Sequence, residues 1–69
     1  MIRYVGGPKD GMYAKEGYAY RMDNGSHWNP EVGAYEVSKG IRGYKKHDGI
    51  RGTFYVHATV FDAWLGQET

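Results

Sequence analysis

Apolar positions alternate with polar ones along much of this chain and take a helical spacing only near its end. Ile2 to Val5 is a β-branched and aromatic run that stops at Gly6-Gly7-Pro8, followed by Asp10-Gly11. This pattern predicts a strand, a tight loop and a second strand over Met12 to Lys15. In the loop, glycine supplies positive φ, Pro8 fixes its own φ, and Asp10 can accept from nearby backbone amides. Tyr18 to Met22 reads as another extended segment, closed by the turn signal Asp23-Asn24-Gly25. The stretch from Ser26 to Gly40 carries two signals. Asn29-Pro30-Glu31 has the form of a helix start, with Asn as cap and Pro in the first position. Gly33, Tyr35 and Val37 nevertheless alternate with Ala34 and Glu36 as in a strand, which favours an extended loop leading into a strand at 34–38.

Asp48-Gly49 predicts a hairpin with a two-residue type I′ loop, whose twist matches that of its flanking strands. The register would set His47 against Ile50, Lys46 against Arg51, Tyr44 against Thr53 and Arg42 against Tyr55. Lys46 facing Arg51 is unfavourable unless an anion sits between them, so that pairing speaks either against the register or for a binding site. Beyond Tyr55-Val56-His57 the period changes: Val60, Phe61, Trp64 and Leu65 line one face of a short helix, with Thr59 as its cap and Gly66 at its end. Asp62 lies near the amino end, where its charge is favourable. So short a helix needs the sheet to pack on, and Trp64 is the expected anchor.

The fold class that follows is α+β: a small, twisted, mostly antiparallel sheet of four or five strands, open or curled into a partial barrel, with a short C-terminal helix. At 69 residues the chain is expected to be one domain, residues 1–69. A chain of this size buries only about 60% of its unfolded surface, so its core is thin and pairing with a partner or a second copy would help it. With no cysteine, neither a disulfide nor a thiolate metal site is available, which fits a reducing, cytoplasmic setting. No apolar run approaches a membrane span, and the first residues lack a signal-peptide pattern. Nine Lys and Arg against eight Asp and Glu give a net charge of +1, well short of the basic excess of a protein that holds nucleic acid by charge alone. Seven Tyr and two Trp stand out; such side chains serve both thin cores and binding surfaces.

The string from Arg3 to Gly11 together with Tyr55-Val56-His57 resembles the "RYVGGPxDG … YVH" signature of small proteins encoded by tailed phages and prophages, mostly those of actinobacteria. Their biochemical role is generally unassigned. The resemblance covers the first eleven residues and roughly Tyr44 to Leu65, matching the pattern at every glycine of the first string, at Pro8 and at Asp10. It departs in the middle. Many such proteins carry a longer acidic or proline-rich segment there, whereas this chain has Tyr18 to Tyr35 with Trp28, so a partner read by the middle need not be shared. The resemblance implies an accessory protein in the host cytoplasm that covers a surface of a host or defence protein, and it implies no catalytic residue.

Candidate chemistry points the same way. His27, His47 and His57 with Asp23, Asp48 or Asp62 match no recognised metal spacing, and no cofactor is expected. His57 is better explained by a cross-strand or helix-capping hydrogen bond. Ser26 and His27 are neighbours that would point to opposite faces of an extended segment, and Asp10, Asp23 and Asp48 are already explained by turns, so no enzyme is expected. The candidate partner-binding residues are Trp28, Tyr20 and Tyr35, with Trp28 either tucked under the sheet or presented outward. The alternative is a nucleic-acid module in which Arg42, Lys45, Lys46 and Arg51 rim a stacking platform of Tyr44 and Tyr55, with Phe54 between. Arg51 to Val56 half-matches the first ribonucleoprotein motif, but Thr53 and Ala58 stand where aromatics belong. Self-pairing through an edge strand is a related route to a homodimer.

Overall fold

The opening β-branched run is strand β1 (Ile2–Val5) in the computed structural model, which describes residues 1–68. β2 (Tyr13–Ala14), β3 (Tyr20–Arg21), β4 (Tyr44–Gly49) and β5 (Gly52–His57) complete a sheet ordered β2-β1-β5-β4-β3. β1 runs parallel to β5, and the other three pairings are antiparallel. The sheet curls into a half-barrel, so the α+β expectation with a mostly antiparallel sheet and a short C-terminal helix describes the molecule. The second and third strands are shorter than the predicted runs at 12–15 and 18–22.

The middle of the chain departs from expectation. Residues 34–38 are not a strand but lie in helix α1 (Pro30–Ser38). Asn29 Oδ1 accepts from Glu31 N at 2.9 Å, Pro30 occupies the first turn where its missing N–H costs nothing, and Glu31 adds negative charge there. The local cap outweighs the alternation that follows it. α1 buries no apolar stripe; Gly33 is its buried residue, which is why no helical period is visible.

The hairpin tip is also displaced, by two residues. Gly49 pairs with Gly52, so the loop is Ile50-Arg51, and Tyr44 faces His57, Lys46 faces Tyr55 and His47 faces Phe54. A type I′ loop at Asp48-Gly49 would need positive φ at both residues, and neither has it, whereas Gly52 does, with φ 118°. The observed register separates Lys46 from Arg51 and places Arg51 at the tip, where its guanidinium lies 3.8 Å from the centre of the Trp64 ring.

This register sorts side chains onto two faces, because residues paired across a ladder share a face. Tyr4, Tyr44 and Tyr55 lie together on one, packed with Ala14 and Ile2. Tyr4 stacks on Tyr55 (5.3 Å) and meets Tyr44 edge-on (4.7 Å). Buried hydroxyls need partners, and these find loop backbone. Tyr44 Oη donates to the Gly6 carbonyl at 2.7 Å and accepts from Lys9 N at 2.9 Å, while Tyr55 Oη lies 2.8 Å from the Glu16 carbonyl and 2.7 Å from that of Tyr18. Burial pushes the Tyr4 and Tyr44 phenols above their ordinary value. Tyr44 and Tyr55 thus both fill the thin core and fasten the loops around it.

The opposite face carries Tyr20, Lys45, Phe54 and Val56 and is roofed by two helices. α1 sits on Tyr20. A 3-10 turn (Ala58–Val60) leads into α2 (Phe61–Gly66), where Trp64 meets Phe54 edge-on at 5.1 Å, as expected of its anchor. Thr59 does not cap this segment; the His57 side chain does, accepting from Thr59 N.

Candidate docking surface

Gly33 decides where α1 lies. A β-carbon there would overlap the Tyr20 ring, so the helix backbone rests directly on that side chain. With Gly33 turned inward, Val32 and Tyr35 project outward three residues apart, 48% and 60% exposed. Lys39, four residues after Tyr35, holds its Nζ 5.4 Å from the centre of that ring.

A cleft flanks α1 on each side. The first, of about 280 Å³, lies between α1 and the loops at 22–28 and 41–43 and is lined by Met22, Asp23, Trp28, Glu36, Ile41 and Arg42. Trp28 forms one wall: its backbone N–H donates to the Tyr20 carbonyl at 3.3 Å, and its ring covers Gly43, where φ is 146° and no β-carbon would fit. The ring is therefore a half-buried wall of an open cleft, neither inserted beneath the sheet nor free in solvent. The second cleft, of about 440 Å³, separates α1 from α2 and includes Tyr20, Val37, Lys45, Phe61 and Asp62. Lys45 Nζ lies 5.4 Å from the centre of the Phe61 ring.

Trp28, Tyr20 and Tyr35 are thus gathered around one helix: Tyr35 on its outer face, Tyr20 beneath it at one cleft, Trp28 at the other. The residues named for nucleic acid are dispersed. Tyr44 and Tyr55 are fully buried and offer no face for a base to stack on. Lys45 and Lys46 point to opposite faces of the sheet, and Lys46 donates to the Gly17 carbonyl at 3.3 Å. Arg42 sits at the Trp28 cleft, and Arg51 is held on α2, donating to the Trp64 carbonyl at 3.2 Å. The predicted platform with a basic rim does not form.

Beside the Trp28 cleft, Asp23 Oδ1 lies 2.9 Å from His57 Nε2, and His57 Nδ1 lies 2.8 Å from Thr59 Oγ1. Carboxylate, imidazole and hydroxyl stand in the order of a nucleophile relay. However, Nδ1 also accepts from the Thr59 amide at 3.4 Å, and Thr59 lines neither cleft. The arrangement works as a helix cap tied to the 22–26 loop, in line with the capping role expected of His57. Among the described residues, no group of three or more His, Cys, Asp or Glu could hold a metal ion, and no helix is long and apolar enough to cross a membrane.

Val32, Ile41, Asp23 and Glu36 were missed as site residues. The Asn29-Pro30-Glu31 cap could have found Val32 and Glu36, since a helix started there sets them on one stripe with Tyr35, whereas Ile41 and Asp23 lie outside α1 and carry no such signal. No family model, no curated protein and no solved structure matches this chain.

Proposed function

We propose that this chain is a binding module that docks a protein partner across the outer face of α1, and that it serves a phage or prophage as an accessory factor modulating a host protein. The observation that carries the docking reading is the exposed pair Val32 and Tyr35 on a helix with a cleft on either side. Exposed apolar side chains beside pockets are the composition of an interface centre, where aromatic anchors supply most of the binding energy. Gly33 resting on Tyr20 and the tyrosine-fastened core hold this surface rigid, which lowers the ordering cost of association. The phage assignment rests on the Arg3 to Gly11 and Tyr55-Val56-His57 strings.

The test is affinity capture from nuclease-treated host lysate with the wild-type protein, Tyr35→Ala and Ile50→Ala side by side, read by quantitative mass spectrometry. Ile50 is 83% exposed at the distant hairpin tip and serves as the control. A stoichiometric protein retained by wild type and Ile50→Ala but lost from Tyr35→Ala supports the proposal. Equal recovery on all three contradicts it.

A further inference from the structure

Several aromatic rings of this protein already carry a cation of the same chain. Arg21 lies over Tyr18 (4.9 Å), Lys39 over Tyr35 (5.4 Å), Lys45 over Phe61 (5.4 Å) and Arg51 over Trp64 (3.8 Å). Among the described residues Trp28 has no such cover, although Arg42 lines the same cleft. Glu36 also faces that cleft, half-buried, and its carboxylate has no ion-pair or hydrogen-bond partner among the described residues. Asp23 stands beside it with Oδ1 engaged by His57, and Oδ2 has no partner among the described residues. Met22 and Ile41 supply apolar walls.

From this we infer that the Trp28 cleft is a receptor for one basic side chain, arginine or lysine, presented by the protein partner. The inference rests on the docking reading and names the chemistry of its anchor. The volume of about 280 Å³ suits a single long side chain rather than a drug-sized ligand. An apolar stem would run along Met22 and Ile41, the charged head would lie over the Trp28 ring, and the Glu36 and Asp23 carboxylates would accept its N–H groups. Two carboxylates against one guanidinium leave the cleft negative overall, so charge complementarity selects a cation. Arg42 sets the limit on affinity by competing for the same acids.

The test is an amide and indole NMR titration of the intact protein with Nα-acetyl-arginine methylamide and, separately, Nα-acetyl-norleucine methylamide. The arginine probe is expected to shift the Trp28 indole and the Glu36 and Ile41 amides saturably, and to do so at least fivefold more tightly than norleucine. Glu36→Gln should weaken it about fivefold, and Arg42→Gln should tighten it severalfold, each with an unchanged spectrum elsewhere. Equal response to both probes, shifts away from Trp28, or weaker binding in Arg42→Gln would overturn the inference. Capture through Tyr35 is a separate result: if it holds while the arginine probe fails, the surface stands and the basic anchor does not.

Discussion

Tyr20 and Gly33 touch without room for a β-carbon between them, and this contact joins the edge strand β3 to the helix that forms the docking surface. Replacing Gly33 by Ala would gain about 1 kcal/mol of helix propensity but force the Tyr20 ring aside at a cost of about 1–3 kcal/mol. A net loss of about 1 kcal/mol is expected in urea denaturation. In a Tyr20→Gly background the same change should become stabilising, because both the ring and the β-carbon of Tyr20 that a β-carbon at position 33 would overlap are then gone, and that reversal is the diagnostic result.

Tyr44→Phe removes a hydroxyl that serves both the Gly6 carbonyl and Lys9 N. The loss leaves two part-buried backbone groups unpaired and should cost about 1–3 kcal/mol at neutral pH. The wild type has a further signature at high pH. Because burial raises the Tyr4 and Tyr44 pKa values above 10.0, the folded state favours the neutral phenols. Their contribution is fully present below pH ~10 and is lost as pH rises through the folded values. Urea midpoints measured from pH 8 to 11 should fall in the upper part of this range, and less steeply in Tyr44→Phe.

His57 joins the 22–26 loop to the start of the C-terminal helical segment through Asp23 and Thr59. His57→Phe should cost about 1–3 kcal/mol and speed hydrogen exchange at the Thr59 to Phe61 amides before it affects β1. Asp23→Asn keeps an oxygen that can accept from Nε2 and should cost less than about 1 kcal/mol. Equal losses in the two variants would contradict this picture of the bond.

Much of the sheet could be read from the sequence because its strands are bounded by Gly, Pro and Asp with fixed backbone reasons: Gly6-Gly7-Pro8 and Asp23-Asn24-Gly25 end strands where expected. The hairpin tip could not be fixed that way, since Asp48-Gly49 and Arg51-Gly52 are both plausible turns and the choice between them depends on contacts 13 or more residues away, such as Arg51 with Trp64. α1 was hidden for a different reason. A helix whose buried residue is a glycine has no apolar period to detect, and only its cap betrays it. Tyr20, Trp28 and Tyr35 are conspicuous as aromatics in a polar middle segment, but of the three Tyr35 alone is exposed, while Trp28 is a half-buried cleft wall and Tyr20 lies beneath α1. Tyr44 and Tyr55 looked equally available, and only tertiary packing takes them into the core.

The most direct test of docking on α1 is site-specific photocrosslinking, with benzoylphenylalanine placed singly at Tyr35, at Tyr13 on the opposite edge of the sheet, and at Ile50. All three positions are exposed, and Tyr13 belongs to the other apolar patch, near Met12. Docking on α1 should give a discrete adduct to one partner protein from position 35 and none from 13 or 50. Adducts from position 13 alone would contradict it and move the interface to the β1–β2 edge.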